Sequence, residues 1–310
     1  MTEKTKGHAA MLTASVIFAL NVPITKSLIP EWVAPPAMTT MRIVFATMMF
    51  WLVSFFQKKE KVDLKDFPVI FFGSFFGMAF NQMMFIIGLS KTSPIDSSII
   101  ATLSPVMVML ISAAVLKEPI TAKKALGVII GALGAILIIV MQTHEGVRAS
   151  SWVGNLFCLI AAGSYAIYLV ITKPVTMKYT PVTLLKWMFL FSTFMIIPFT
   201  YHDVVSAKVF AVFNESAIIR VVYVLFFATF VSYFLIPVAL KRIRPTTVGS
   251  YNYLQPLVAS FAAIAVGQDV LTWEKPTAAL LIFSGVYLVT MSKSRADVER
   301  EKAMLGEHKS

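Results

Sequence analysis

Residues 92–141 read TSPIDSSIIATLSPVMVMLISAAVLKEPITAKKALGVIIGALGAILIIVM, and the chain says much of this twice. Adding 151 to the numbering carries Pro94 onto Pro245, Pro105 onto Pro256, Glu118 onto Asp269, Thr121 onto Thr272 and Gly134 onto Gly285. Chance matches of Leu, Ala or Val mean little in apolar sequence. Two prolines, an acid, a threonine and a glycine at one constant offset point to an internal duplication.

Working outward, the first apolar stretch, GHAAMLTASVIFALNVPITKSLI, recurs at offset 147 as GNLFCLIAAGSYAIYLVITKPV, where Gly7, Leu12, Ala14, Ala19 and Ile24-Thr25-Lys26 meet Gly154, Leu159, Ala161, Ala166 and Ile171-Thr172-Lys173. Arg42 meets Lys186 at offset 144, and Asn81 with Gln82 meets Ser232 with Tyr233 at offset 151. The duplication therefore reaches every part of both halves.

Of 310 residues, 57% are hydrophobic and only 14% charged, and the mean hydropathy is +0.77. These values leave the range of soluble domains and describe a polytopic membrane protein. A hydrocarbon core about 30 Å thick needs about 20 apolar residues of helix. Ten such runs are predicted, over 7–29, 36–56, 68–89, 95–116, 125–142, 152–172, 182–201, 216–240, 247–267 and 277–292. Continuous apolar runs, rather than ten-residue alternation, exclude a β-barrel and leave a helical bundle. The first run follows Lys4 and Lys6 as a signal peptide would, but it lacks a small-residue cleavage pattern and is too long for one. It is read as a retained helix.

The net charge of +11 is topology rather than nucleic-acid affinity. Alternating the loops across the membrane places nineteen of the 27 Lys and Arg residues on the side of both termini, five on the other and three within spans. The positive-inside rule makes both termini cytoplasmic, with anionic lipid headgroups as partners of the basic loops. The single Cys158 excludes an intramolecular disulfide, and the four histidines lie at helix ends, in loops or in the tail. No metal-ligand spacing, phosphate loop or nucleophile elbow occurs, so neither an enzyme nor a metal or other cofactor is expected.

Five spans per repeat is an odd number, so the second copy enters the membrane upside down relative to the first. Inverted repeats are a signature of secondary transporters, in which two similar halves exchange inward-facing and outward-facing shapes around a site near the midplane. The expected fold is an all-α membrane protein of ten transmembrane helices in two inverted five-helix repeats, 1–142 and 143–292, followed by a charged cytoplasmic tail over 293–310.

Certain residues also carry a family likeness. Asn21-x4-Lys26 closes the first span, a basic residue stands in the second, Gly88-Leu89-x2-Thr92 follows the third, and Pro105, Lys117-Glu118-Pro119-x-Thr121 and Gly127 to Gly134 follow in turn. The pattern, repeated in the second half by Pro256, Asp269, Leu271, Thr272 and Gly285, resembles the EamA-type transporters of the drug/metabolite transporter superfamily. Two departures are Phe18-Ala19, where the family often has Trp-Gly, and Asp269, where it usually has Glu. The resemblance implies a two-repeat carrier moving amino acids or other small metabolites, commonly outward and, in bacteria, across the inner membrane. Related branches carry nucleotide sugars or sugar phosphates.

Candidate substrate-binding residues follow from polar and aromatic groups placed deep in the spans. Tyr251, Asn252 and Gln255 surround Pro256 in the motif SYNYLQP, with Tyr251 and Gln255 on one helical face. An amphipathic ligand would stack on such a ring and pair with such an amide. Tyr165, Tyr168, Trp187 and Tyr233 are candidates for the same cavity, as are Asn21 with Thr25 and Gln82. Arg42 and Lys186 occupy equivalent places and would attract carboxylates or phosphates, or snorkel to the interface from a depth of about 8 to 9 Å at about 1.5 Å per residue. Lys26 is read as an interfacial anchor. Pro105 and Pro256 each remove one helical hydrogen bond near a span's middle and are read as hinges or cavity-shaping kinks. Glu118 and Asp269 would complement the starts of the fifth and tenth helices, and Gly73-x3-Gly77 and Gly127-x3-Gly131 would pack helices within the bundle, so they do not bear on the oligomeric state, which the sequence leaves open. No Asp or Glu lies in the central part of any span, so export down a gradient, or exchange, is favoured over proton coupling. The expected function is export of amino acids or related metabolites by alternating access. The alternatives are a nucleotide-sugar or sugar-phosphate exchanger, and a non-transporting receptor or assembly subunit, which the short loops disfavour.

Overall fold

The computed structural model describes residues 2–92, 97, 100–141, 151–265, 273–293, 295, 297 and 298. Pro94, Asp96, Asp269, Leu271, Thr272 and most of the 293–310 tail lie outside the described residues. Those described form helices and the turns between them, with no strand among them. Among the described residues, six stretches are long and apolar enough to cross a bilayer: Glu3–Lys26, Pro35–Phe55, Leu64–Lys91, Trp152–Ile171, Pro181–Val205 and Glu215–Arg242.

We number the principal helices α1 (Glu3–Lys26), α2 (Pro35–Phe55), α3 (Phe67–Ser74), α4 (Phe80–Lys91), α5 (Ser104–Leu116), α6 (Ala122–Met141), α7 (Trp152–Ile171), α8 (Pro181–Val205), α9 (Glu215–Val222), α10 (Ser232–Arg242), α11 (Pro245–Ser250), α12 (Leu254–Ala265) and α13 (Glu274–Thr290). A π-helical segment, Phe75–Ala79, joins α3 to α4, and another, Tyr223–Val231, joins α9 to α10. Adding 151 to the first gives residues 226–230, inside the second, so the duplication extends to an irregularity of the backbone.

Helix pairing follows the same rule. α1 lies along α10 and α4 along α7; α2 crosses α8; α6 lies along α13; α5 packs on α7 and α12 on α1. Exchanging the two halves leaves this set of pairings unchanged. Small residues set the closest approaches, because a helix pair in lipid gains its packing from backbone contact. A methyl added at Gly7 would stand 2.8 Å from Cβ of Arg242, and one at its counterpart Gly154 would stand 2.9 Å from the backbone of Lys91, the counterpart of Arg242. Gly73 and Gly77 likewise face Met188 and Tyr168 across internal helix contacts.

The tripeptide Ile-Thr-Lys that ends α1 and α7 has a structural use. Lys26 Nζ donates to the carbonyls of Leu89 and Thr92 at the end of α4, and Lys173 Nζ donates to those of Leu240 and Ile243 at the end of α10. The last carbonyls of a helix have no partner within it and carry partial negative charge, so a cation there satisfies both deficits. Lys26 is thus a helix cap rather than the interfacial anchor expected above. Glu118 is also corrected: its carboxylate accepts from Lys124 Nζ at 2.9 Å and from Thr246 Oγ1 at 3.3 Å, while Thr121 Oγ1 accepts from the Lys124 amide at the start of α6. Glu118 therefore ties the α5–α6 junction to α11.

Both prolines expected to kink a continuous helix stand instead in the first turn of a new one. The backbone turns at Thr102-Leu103 and α5 begins at Ser104, placing Pro105 where its missing N–H is not needed. In the second half a 3-10 turn, Tyr251–Tyr253, separates α11 from α12, and Pro256 is the third residue of α12. The carbonyls of Ala101 and Asn252 are released by a helix break, not by a kink.

Candidate functional site

Between the halves lies a cavity of about 120 Å³ with walls from both. α1 supplies Phe18, Asn21 and Val22, α2 supplies Arg42, α4 supplies Asn81, Gln82 and Phe85, and residues around the first break supply Ser97, Ala101 and Ser104. From the second half come Cys158, Ala161, Ala162 and Tyr165 of α7, Tyr233 of α10, and Asn252 and Gln255 at the second break. Phe18 to Val22 fall in the last third of α1, and Cys158 to Tyr165 in the first two thirds of α7. The cavity therefore lies in the part of the bundle away from the N-terminus. The opposite end holds Glu3 and Lys293, since Arg242 Nε donates to Glu3 at 2.9 Å and Arg244 Nη1 to the Lys293 carbonyl at 3.2 Å. Towards that end the cavity is floored by aromatic rings, with Phe18 edge-on to Tyr233 at 6.1 Å and Tyr233 edge-on to Phe189 at 5.4 Å.

Arg42 is the charged residue of the lining. Its side chain does not snorkel: it is 2% exposed, with Nε donating to Thr229 Oγ1 at 2.8 Å and Nη2 reaching the Ala228 carbonyl at 3.5 Å. Both acceptors sit in the second π segment, whose wide turns loosen the Ala228 carbonyl from the helical ladder, while Thr229 accepts through a hydroxyl held by its own bond to the Val224 carbonyl. The Gly77 and Phe76 carbonyls of the first π segment serve in the same way, accepting from Tyr233 Oη at 3.3 Å and Ser164 Oγ at 2.6 Å. Nη1 of Arg42 has no partner, and no carboxylate forms an ion pair with it among the described residues. A buried guanidinium without a counter-charge is costly, by several kcal/mol in order of magnitude, unless water or an anionic ligand compensates it.

The carboxamides divide into those with one end engaged and one with neither. Asn81 Nδ2 donates to the Ala161 carbonyl at 2.7 Å, Asn21 Oδ1 accepts from Thr25 Oγ1 at 3.0 Å, and Gln255 Nε2 reaches Asn252 Oδ1 at 3.5 Å. Gln82 is 2% exposed, and neither its Nε2 nor its Oε1 makes a hydrogen bond of good geometry, although the amide stands beside the Tyr233 hydroxyl. The Tyr165 hydroxyl is likewise buried without a hydrogen bond. A buried amide left unpaired costs free energy, so its presence in a cavity wall marks a group available to a ligand or to water.

Of the candidates drawn from sequence, Asn21, Arg42, Gln82, Tyr165, Tyr233, Asn252 and Gln255 come together here. Tyr168, Lys186, Trp187 and Tyr251 do not. Tyr168 packs on Gly77, where an added methyl would stand 2.5 Å from its ring. Lys186 holds its Nζ 5.3 Å from the centre of the Trp51 ring, and Trp187 packs edge-on to Trp51 at 5.5 Å and Phe67 at 5.3 Å, both on the α2 and α3 side of α8. Tyr251 lies one turn nearer the termini and shares a 2.8 Å hydrogen bond with His8 Nδ1. Pro105 and Pro256 are buried beside the cavity without lining it. Sequence reasoning passed over Cys158 as a small apolar residue and gave no sign of Thr229, whose role depends on the π turn.

Comparison with known proteins agrees with this architecture. An uncharacterized transporter of Archaeoglobus fulgidus is 24% identical over 85% of this chain and 91% of its own length. The uncharacterized transporter YdfC of Bacillus subtilis is 27% identical over 74% of this chain and 73% of its own. A WAT1-related protein of Arabidopsis thaliana is 20% identical over 94% of this chain and 80% of its own. A solved crystal structure superposes with a TM-score of 0.71 at 15% identity, covering 93% of this chain and 97% of its own, which speaks to the fold alone. The sequence profile of the EamA-like transporter family matches residues 5–140 and again 152–291, so this chain is an integral membrane protein that belongs to that family of the drug/metabolite transporter superfamily.

Proposed function

We propose that the chain is a secondary carrier for small carboxylate-bearing metabolites, amino acids or related acids, moved outward across a bacterial inner membrane by alternating access. In this reading two inverted five-helix repeats, 1–142 and 143–292, make a ten-helix bundle with both termini and the 293–310 tail in the cytoplasm. The set of helix pairings that survives exchange of the halves supports the repeat, and the placement of Lys and Arg supports the orientation. Relatives named as transporters support the activity class, which is transport rather than catalysis.

The observation that carries the substrate class is Arg42, a buried guanidinium with a free Nη1 in a cavity walled by both halves. It holds the carboxylate, while Asn21, Gln82, Tyr233, Asn252 and Gln255 orient the rest of the ligand. The helix breaks before Pro105 and Pro256 lie against the cavity and serve as hinges, since a broken helix bends at little cost. Closing the cavity mouth while parting the aromatic floor would carry the ligand across. The sugar-phosphate alternative is less well supported, because a phosphate group calls for several converging cations, and Lys186 sits over Trp51 instead of beside Arg42.

Reconstituted protein tested for counterflow of a panel of labelled organic acids, amino acids, sugar phosphates and neutral solutes decides the matter. Saturable flux of carboxylates that falls at least tenfold in Arg42→Gln is the expected result. Flux confined to neutral or cationic solutes overturns the proposal.

A further inference from the structure

Resting on the carboxylate reading, we infer that this cavity selects a monoanion whose carboxylate is flanked by an uncharged hydrogen-bonding group, such as an α-hydroxy acid, over the matching zwitterionic α-amino acid. The argument is one of charge and valence. Among the described residues the cavity wall carries one charge, that of Arg42, and no acid. A monoanion neutralises it. A zwitterion leaves the positive charge in place and sets its own ammonium near the guanidinium, with only neutral acceptors to receive it. Asp96, beside Ser97 of the wall, lies outside the described residues and enters the test below.

The free hydrogen-bonding capacity matches the same ligand. Asn21, Asn81, Asn252 and Gln255 each have one end of the carboxamide engaged and can orient a ligand only through the other. The groups with no hydrogen bond of good geometry among the described residues are Nη1 of Arg42, both ends of the buried Gln82 amide, which stands beside the Tyr233 hydroxyl, and the Tyr165 hydroxyl. Gln82 Oε1 accepts from the α-hydroxyl, Gln82 Nε2 donates to a carboxylate oxygen, and Tyr165 completes the carboxylate or hydroxyl. A ligand lacking either group leaves buried atoms unpaired, which is how such sites discriminate. Phe18, Val22 and Phe85 form the apolar wall for the remainder of the molecule. Gln82 is thus the specificity-determining residue and Arg42 the anchor.

The test is isothermal titration of the purified full chain with α-hydroxyisocaproate, leucine and the neutral amide of the hydroxy acid, which share one side chain. The hydroxy acid is expected to bind at least about tenfold tighter than leucine, a difference readily resolved in Kd. Gln82→Glu supplies the missing negative charge and is expected to reverse that order. If that variant does not fold, Asn21→Asp on the α1 wall makes the same charge test. Leucine binding as tightly as the hydroxy acid, with both lost in Arg42→Gln, overturns the charge rule and leaves the carboxylate reading standing. Leucine affinity that falls in Asp96→Asn places a counter-charge at Asp96 and likewise overturns it. A neutral amide that binds as well as the acid, or no binding of either acid, overturns the carboxylate reading and the charge rule together.

Discussion

Arg42→Met is expected to make the empty protein more stable and the carrier nearly inert. Methionine fills much of the same volume without the charge. In the empty protein the guanidinium makes one good hydrogen bond, Nε to Thr229 Oγ1 at 2.8 Å, and one marginal contact at 3.5 Å. A hydrogen bond involving a charged group contributes about 1.5–3 kcal/mol. Against this stands the desolvation of a charge with no ion-pair partner among the described residues, several kcal/mol, and replacement of buried ionic groups by apolar ones of similar size is often neutral or stabilising by about 1–4 kcal/mol. The net expectation is a gain of about 1 kcal/mol, or about 2–4 °C in melting temperature, taking the scaling for chains of 150–250 residues as a guide. Transport moves the other way, since truncating one partner of a buried charge pair costs about 2–5 kcal/mol of binding. Intrinsic-fluorescence melting in detergent and counterflow in liposomes, run on the same preparation, read both. A variant that melts several degrees lower while keeping its flux would show that Arg42 is a strut for the π segment and not a ligand for substrate.

Three further expectations test the surrounding architecture. Gly285→Ala puts a methyl 2.6 Å from the Gly127 carbonyl and 2.7 Å from Cα of Gly131, all backbone, so α6 and α13 must part at a cost of about 3 kcal/mol. Gly163→Ala meets only Met107 Sδ at 3.6 Å and is expected to leave the melting temperature unchanged or raise it, as Ala replaces Gly inside a helix. Equal losses in the two variants would refute the packing account. Lys26→Met and Lys173→Met should each uncap a helix end and lower stability by about 1–2 kcal/mol, whereas simple interfacial anchors would give melting curves matching the parent. In the loop before α3, partial burial pushes the Glu60 carboxyl up, but hydrogen bonds from the Thr180 amide and from the hydroxyls of Thr183 and Thr180 outweigh it and hold it below the ordinary carboxylate range. Its contribution, present above the unfolded value, is lost as pH falls through the lowered folded value. The stability difference between parent and Glu60→Gln should accordingly be small, because the group is partly exposed and screened by solvent, and should vanish once the pH falls below the lowered folded value; a difference that grows on acidification would contradict this.

The duplication was legible because the residues that carry it are rare in apolar sequence: two prolines, paired glycines and the Ile-Thr-Lys ends. Helix boundaries at the prolines were not, because hydropathy is blind to whether the residues before a proline are helical. The π segments left no mark at all, since Phe75–Ala79 and Tyr223–Val231 have the composition of ordinary spans. That gap explains the different fates of Arg42 and Lys186. Arg42 is the eighth residue of α2 and Lys186 the sixth of α8, and what separates them further is the partner: the Thr229 hydroxyl and Ala228 carbonyl of the π segment for one, the Trp51 ring for the other.

Set side by side, the matched positions fall into two groups. Several that hold helices together are the same residue in both halves, Gly7 with Gly154, Lys26 with Lys173, Gly134 with Gly285, although Gly73 and Gly77 match Val224 and Ala228. Those at the cavity differ in kind: Phe18 with Tyr165, Asn21 with Tyr168, Arg42 with Lys186, Gln82 with Tyr233, Ala101 with Asn252, Ser104 with Gln255. Packing between two similar halves constrains both members of a pair alike, because each close approach is made twice. A ligand bound between them touches each position once, so nothing holds the members of a cavity pair to the same chemistry. The consequence for an alternating-access carrier is physical. A lining with matched halves would present the same groups to a ligand from either side and bind it equally well from both. With the guanidinium on α2 and the Gln82 amide on α4, both in the first half and both matched by different groups in the second, the two open states need not have equal affinity, and the difference between them sets the concentration at which each side loads.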